Sequence, residues 1–294
     1  MRKRSIPAGI RPYVFLLPAG LVLVAIVLFP LFFSLAASLF RVTLTDLRLI
    51  SFKGFENYRA AFHDSNFLTS LLNTMVFVVV VVAAETVIGM ALALLCSLEV
   101  RGMGILRIAL IIPTVVAPVV VGLMWRYMLF KGNGVLSYLL SLVGLEPETG
   151  ILGSALLSRM SIYVTDVWEW SGFMALIFLA AILSIPAELY EAARVDGAKR
   201  FQIFWSITIP VLRPTVLVAL IIRSMDSFCV YDIIYALTRG GPGMSTTSVS
   251  YQIYNTAIRY NELGYGSALS WIVTIIVVLL SLLYIRIAYR KEVL

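Results

Sequence analysis

Apolar residues dominate this chain in long unbroken runs. Six stretches, roughly 13–40, 71–98, 105–129, 162–185, 211–235 and 267–288, each hold the twenty or so apolar residues needed to cross a ~30 Å hydrocarbon layer. None alternates with a period of two, and all are too long for strands. Six membrane-crossing helices are therefore expected, because a helix satisfies its own backbone polar groups where water is absent. The fold class expected is all-α and polytopic: a short tail over 1–12, a six-helix domain over 13–288 and a second tail over 289–294. The first run is far longer than the apolar segment of a secretory signal, so it is read as a retained helix.

Composition strengthens this reading. Of the 294 residues, 61% are hydrophobic and only 13% charged, and the mean hydropathy is +0.96. A soluble domain carries roughly 25% charged residues, so lipid must serve as solvent for much of this chain. The formal charge of +7 is read as the basic bias of cytoplasmic loops. No Lys/Arg run is interleaved with aromatics on a polar segment, which argues against nucleic-acid binding. With the N-terminus inside, short cytoplasmic segments hold 13 Lys and Arg residues, and the longer external ones hold nine. Both termini are thus expected in the cytoplasm.

Cys96 and Cys229 lie in apolar runs and are expected to be small buried hydrophobes. His63 stands in a polar loop without neighbouring ligand types. No metal site and no catalytic residue is expected.

The connection over 186–210 is long, charged and helically patterned where a short turn would join two spans. Pro186 is placed to stop one helix and open another, with Glu188 and Glu191 in its first turn. Gly197 fits the left-handed position that ends it. A second short helix over 199–207 is expected to present Phe201, Phe204, Trp205 and Ile207, with Pro210 closing the unit before the next span. Periodicity alone fits an interfacial connector on lipid headgroups as well as a docking element.

Within it, Glu191-Ala-Ala-x-x-Asp-Gly-Ala198, then Phe201 and Ile207-x-x-Pro210, resembles the EAA loop of ABC-importer permeases. Asn73-Thr-Met-x-Phe, Gly89-x-Ala-x-Ala, the run from Tyr231 to Pro242, Ser245-Thr-Thr and Gly264-Tyr-Gly-Ser-Ala268 are similar to the carbohydrate-uptake branch. That branch holds the maltose-type and glycerol-phosphate-type permeases, and the likeness covers nearly the whole chain. Arg239 departs from it, standing where many relatives have a small residue before Gly-Gly-Pro.

The resemblance implies a type I importer permease of a prokaryotic inner membrane, with its core from about residue 71. It implies that Glu191, Ala192, Ala193, Asp196, Gly197, Ala198 and Phe201 form a cytoplasmic coupling helix docking on an ATPase. It further implies a second homologous permease in a heterodimer, two ATPase subunits holding ATP and magnesium, and an extracytoplasmic solute-binding protein. The chain has no Gly-x-x-x-x-Gly-Lys-Ser/Thr phosphate loop, so no cofactor is expected on it. An ion-coupled transporter working alone is the alternative. That class would show an internal repeat and would not need a docking loop.

Ionisable groups inside a span normally face protein or a water-filled path. Asp166, Trp170 and Phe173 share one face of the fourth span, and Arg223, Asp226, Ser227 and Val230 share one face of the fifth. Carboxylates beside aromatic surfaces suit sugars, which have polar rims and apolar faces. In the resembling maltose-type permeases these two helices line the solute path. An internal Arg223–Asp226 pair is the competing reading. So is an interfacial position for Asp166 and Glu169, with Trp168 and Trp170 as belt residues. Glu85, in the second span, is expected to hydrogen-bond between helices.

Overall fold

The computed structural model describes residues 11–49, 51–98, 100, 102–144 and 147–289, with side chains from 16 to 286. Of the expected tails, residues 1–10 and 290–294, with Arg2, Lys3, Arg4, Arg290 and Lys291, fall outside the described residues, as does Arg101, whereas 11, 12 and 289 are helical. The chain forms two compact units, residues 1–64 with 253–272, and residues 65–252 with 273–294.

In the first unit, α1 (Arg11–Leu23) runs through a π turn (Val24–Leu28) into α2 (Phe29–Ser38). Most of its apolar side chains are exposed, as expected of a helix whose solvent is lipid. A two-residue hairpin follows, β1 (Phe40–Arg41) against β2 (Ser51–Phe52), and then α3 (Glu56–Ala61). These are the described strands in an otherwise helical chain. Asn57 ties α3 back by donating to the carbonyls of Ser38 and Phe40, at 2.8 and 3.2 Å.

The second unit is built around α4 (Ser65–Cys96) and α8 (Ala155–Leu183), which pack along each other. Small residues allow that approach. A Cβ on Gly89 would stand 2.7 Å from Met174 Cβ, and one on Gly172 would strike the carbonyl oxygen of Leu110. Gly172 thereby seats α5 (Met103–Val115) against α8. Two apolar cores result, one centred on Val81, Ile162 and Leu237, the other on Met174, Phe178 and Leu212.

Four expectations need correction. The run 105–129 is not one straight helix: α5 and α6 (Pro118–Met128) meet at 97°. Pro118 disfavours helix at Ala117, which is extended at ψ 133°, and Pro113 weakens the turn before it. The helix that carries the fifth span runs from Arg200 to Phe228 rather than over 211–235. Its helix, α11 (Ile209–Phe228), is entered without a stop from α10 (Arg200–Ile203) through a π turn (Phe204–Thr208). Pro210 therefore does not end a unit: it sits in the first turn of α11, where the widened turn tolerates its missing N–H. Helices also outlast their apolar runs, α4 beginning at Ser65 and α8 at Ala155, since apolar length marks hydrocarbon depth rather than the helix end. The remaining helices are α7 (Val135–Leu142), α9 (Ala187–Val195), α12 (Asp232–Leu237), α13 (Val249–Tyr254) and α14 (Leu263–Tyr289).

Candidate functional site

Arg223, in the last third of α11, is 1% exposed, so its charge must be met by protein. Its Nε and Nη2 donate to the two carboxylate oxygens of Glu85 on α4, each at 2.7 Å. Nη2 also donates to Asp166 on α8 at 3.0 Å, and Nη1 donates to Asp226 one turn along α11. The face of Trp170 covers the guanidinium, with Cζ 4.6 Å from the ring centroid. Phe173 meets Trp170 edge-on at 5.9 Å. Three helices are thus joined at one buried cation.

Beside this network lies a cleft of about 80 Å³. Asp166, Trp170, Asp226 and Ser227 line it together with Asp232, Cys229 and Pro118. Arg223 and Phe173 stand behind its wall rather than on it. Ser227 is buried, and its hydroxyl finds no hydrogen-bond partner among the described residues.

The sequence-based residues therefore converge, with differences. The Arg223–Asp226 pair exists, but the bidentate partner is Glu85, 138 positions away. Asp166 and Glu169 are both buried in protein rather than presented to lipid headgroups. Trp168 is partly exposed and packs edge-on against Trp125. Cys96 is buried as expected, whereas Cys229 is exposed, because α11 stops at Phe228 and turns its cap residue toward the cleft. Asp232 and Pro118 were not foreseen at the cleft. The one available signal for Asp232 was an acid in the first turn of a helix just after a break.

The second candidate is the 187–208 loop. Ala187 opens α9 after Pro186, so Glu188 lies in the first turn and Glu191, against expectation, in the second. Gly197 has φ +79°. Its N–H donates to the Arg194 carbonyl at 3.0 Å, and Ala198 N–H to Ala193 at 2.9 Å. These two bonds are the Schellman closure, which satisfies carbonyls that the helix end would leave free. Gln202 then accepts from the Lys199 N–H at 2.7 Å, opening α10.

Tyr190 and Phe204 pack into the core over α8 and α11, and the Tyr190 hydroxyl lies 3.3 Å from Thr208 Oγ1. Glu191, Ala192 and Asp196 face outward, as do Val195 and Phe201, while Ala193 and Ala198 are half-buried. The anchored side chains hold the loop in place and leave an apolar edge uncovered. Ile207 is half-buried, whereas Trp205 is exposed.

Residues 85–290 match the family described as binding-protein-dependent transport system inner membrane components. The chain belongs to that family. The match takes in both the charge network and the 187–208 loop. This permease is 35% identical over 283 residues to the trehalose/maltose transport system permease protein MalF of Thermococcus litoralis, covering 95% of the chain and 94% of that protein. It is 35% identical over 279 residues to the sulfoquinovosyl glycerol transport system permease protein SmoG of Agrobacterium fabrum, covering 94% and 90%. Its fold matches a chain of a bacterial alginate ABC transporter solved with an alginate-bound periplasmic protein. There the TM-score is 0.82 at 24% identity over 96% of each chain. The type I importer permease fold expected from the sequence is thus the fold observed.

Proposed function

We propose that the permease forms half of the pathway of an ATP-driven, binding-protein-dependent carbohydrate importer and itself catalyses no reaction. Identity of 35% over nearly the whole chain to permeases named for trehalose, maltose and sulfoquinovosyl glycerol supports a carbohydrate-class solute. The basic bias of the connections supports N-in and C-in orientation, with the 187–208 loop on the cytoplasmic side. A second, homologous but distinct permease completes the pathway, two ATPase subunits bind below, and a solute-binding protein delivers from outside.

One observation carries the coupling role: the 187–208 loop is closed by Gly197 and anchored through Tyr190 and Phe204, yet leaves Val195 and Phe201 largely in solvent. An ordered apolar edge with no partner in its own chain fits insertion into another protein. ATP binding would close the ATPase pair, carry the loop with it, and rock the helices about the midplane. The bound nucleotide supplies the energy, and this chain's residues transmit the movement.

The test is ATP-dependent uptake in proteoliposomes holding the whole complex, with Glu191→Lys and Gly197→Pro as variants. Both should insert normally and lose uptake. Retained uptake in either would remove the loop from the coupling path, and co-purification without an ATPase would favour a transporter acting alone.

A further inference from the structure

The two relatives leave the charge of the solute open, because maltose and trehalose are uncharged whereas sulfoquinovosyl glycerol carries a sulfonate. The cleft beside Arg223 discriminates. Three carboxylates line it, Asp166, Asp226 and Asp232, and among the described residues no Lys or Arg does. The nearest cation, Arg223, stands behind the wall with four of its five N–H groups committed to Glu85, Asp166 and Asp226. One π face of the guanidinium is covered by Trp170. The buried Ser227 hydroxyl, which also lines the cleft, is without a partner among the described residues.

We propose that this cleft passes an uncharged or cationic polyhydroxyl solute and rejects carbohydrates bearing phosphate, sulfonate or carboxylate. The inference rests on the carbohydrate-importer reading and narrows it. An anion entering the cleft would give up hydration and meet Asp226 and Asp232, carboxylates of its own sign, with no uncommitted guanidinium on this chain's side to replace the lost water. A sugar hydroxyl can donate to those same oxygens in charge-assisted hydrogen bonds, and the free Ser227 hydroxyl can pair with a second hydroxyl. The acidic surplus is not a metal cage: among the described residues no three acidic, His or Cys side chains are grouped to hold an ion.

Cys229 makes the cleft's field measurable in the native protein. It is the exposed thiol of the two in the chain, and it lines the cleft, while Cys96 is buried. The assembled complex is labelled with two methanethiosulfonates of similar size, ethylammonium and ethylsulfonate, and the rate at Cys229 is read by mass spectrometry of its peptide. The expected result is an ammonium-to-sulfonate rate ratio at least about tenfold above that of free cysteine, since a cleft lined by one sign of charge concentrates the opposite ion. Asp226→Asn and Asp232→Asn should each lower the ratio. Asp232 lies outside the Arg223 network, so its variant keeps the test informative if Asp226→Asn fails to assemble. A ratio equal to that of free cysteine, or lower, overturns the proposal.

Uptake by the complex with its own binding protein separates the two levels. Transport of an anionic sugar would overturn the charge inference alone. Transport of a solute that is no carbohydrate would overturn the function while the Cys229 ratio stood.

Discussion

Arg223 on α11 grips Glu85 on α4 through two parallel hydrogen bonds of 2.7 Å, both side chains being fully buried. A fork-to-fork pair of this kind is both strong and directional. Asp166 and Asp226 meet the same guanidinium, so α4, α8 and α11 share one electrostatic joint.

Removing one partner should be worse than removing both. Glu85→Ala leaves Arg223 short of its principal counter-charge and should cost about 3–5 kcal/mol, the usual penalty for breaking a buried pair. The double variant Glu85→Leu with Arg223→Met should recover part of that loss. Thermal unfolding of the detergent-purified complex checks both, and equal losses for the single and double variants would contradict the joint.

Gly172 should tolerate no side chain. A Cβ there meets the Leu110 carbonyl, so Gly172→Ala must push α5 off α8 and should destabilise by about 1–3 kcal/mol, as overpacking does. Gly104, on α5 itself, has open space where a Cβ would stand, with nothing within 4 Å, and should accept alanine without loss. The two variants are compared by melting temperature.

Gly197 separates shape from strain. At φ +79° alanine should cost about 1 kcal/mol and leave uptake near normal. Proline also removes the N–H that donates to Arg194 and cannot take that φ, so uptake should be lost while membrane insertion persists. ATP-driven uptake, with membrane insertion scored separately, distinguishes the two substitutions.

A pH effect is expected in the turn at residues 43–48. Hydrogen bonds from the Arg48 side chain and amide hold the Asp46 carboxyl down from 3.8 to about 2. A lowered folded value means the turn's extra order is fully present above the ordinary carboxylate range and is lost as pH falls through about 2. Hydrogen exchange at the Arg48 amide should speed up in that window, and Asp46→Asn should be fast throughout.

Much of the 187–208 loop was legible in advance because its determinants are local. Gly197 supplies a backbone conformation, Pro186 a boundary, and Glu191-Ala-Ala a helix, each readable from its own neighbours. The failures lay where a distant contact or a backbone break intervened. By its local sequence Pro210 is a stop, but the π turn before it lets the helix continue. The run 105–129 is apolar enough to cross a membrane, and hydropathy has no means of registering a 97° bend. Cys229 looked buried because its neighbours are apolar, although the end of α11 turns it outward.

The sequence by itself determined that lipid is the solvent, that the spans are helical, and that a closed loop with an apolar edge follows the fourth span. Apolar length, charge density and turn chemistry act within a few residues of themselves. Only the tertiary structure decided that Glu85 answers Arg223, and that Pro118 and Asp232 close an acidic cleft around Asp166 and Ser227. Those relationships arise from the angles at which α4, α6, α8 and α11 pack. Such angles are set by side-chain fit between helices far apart in the chain, which a one-dimensional pattern does not carry.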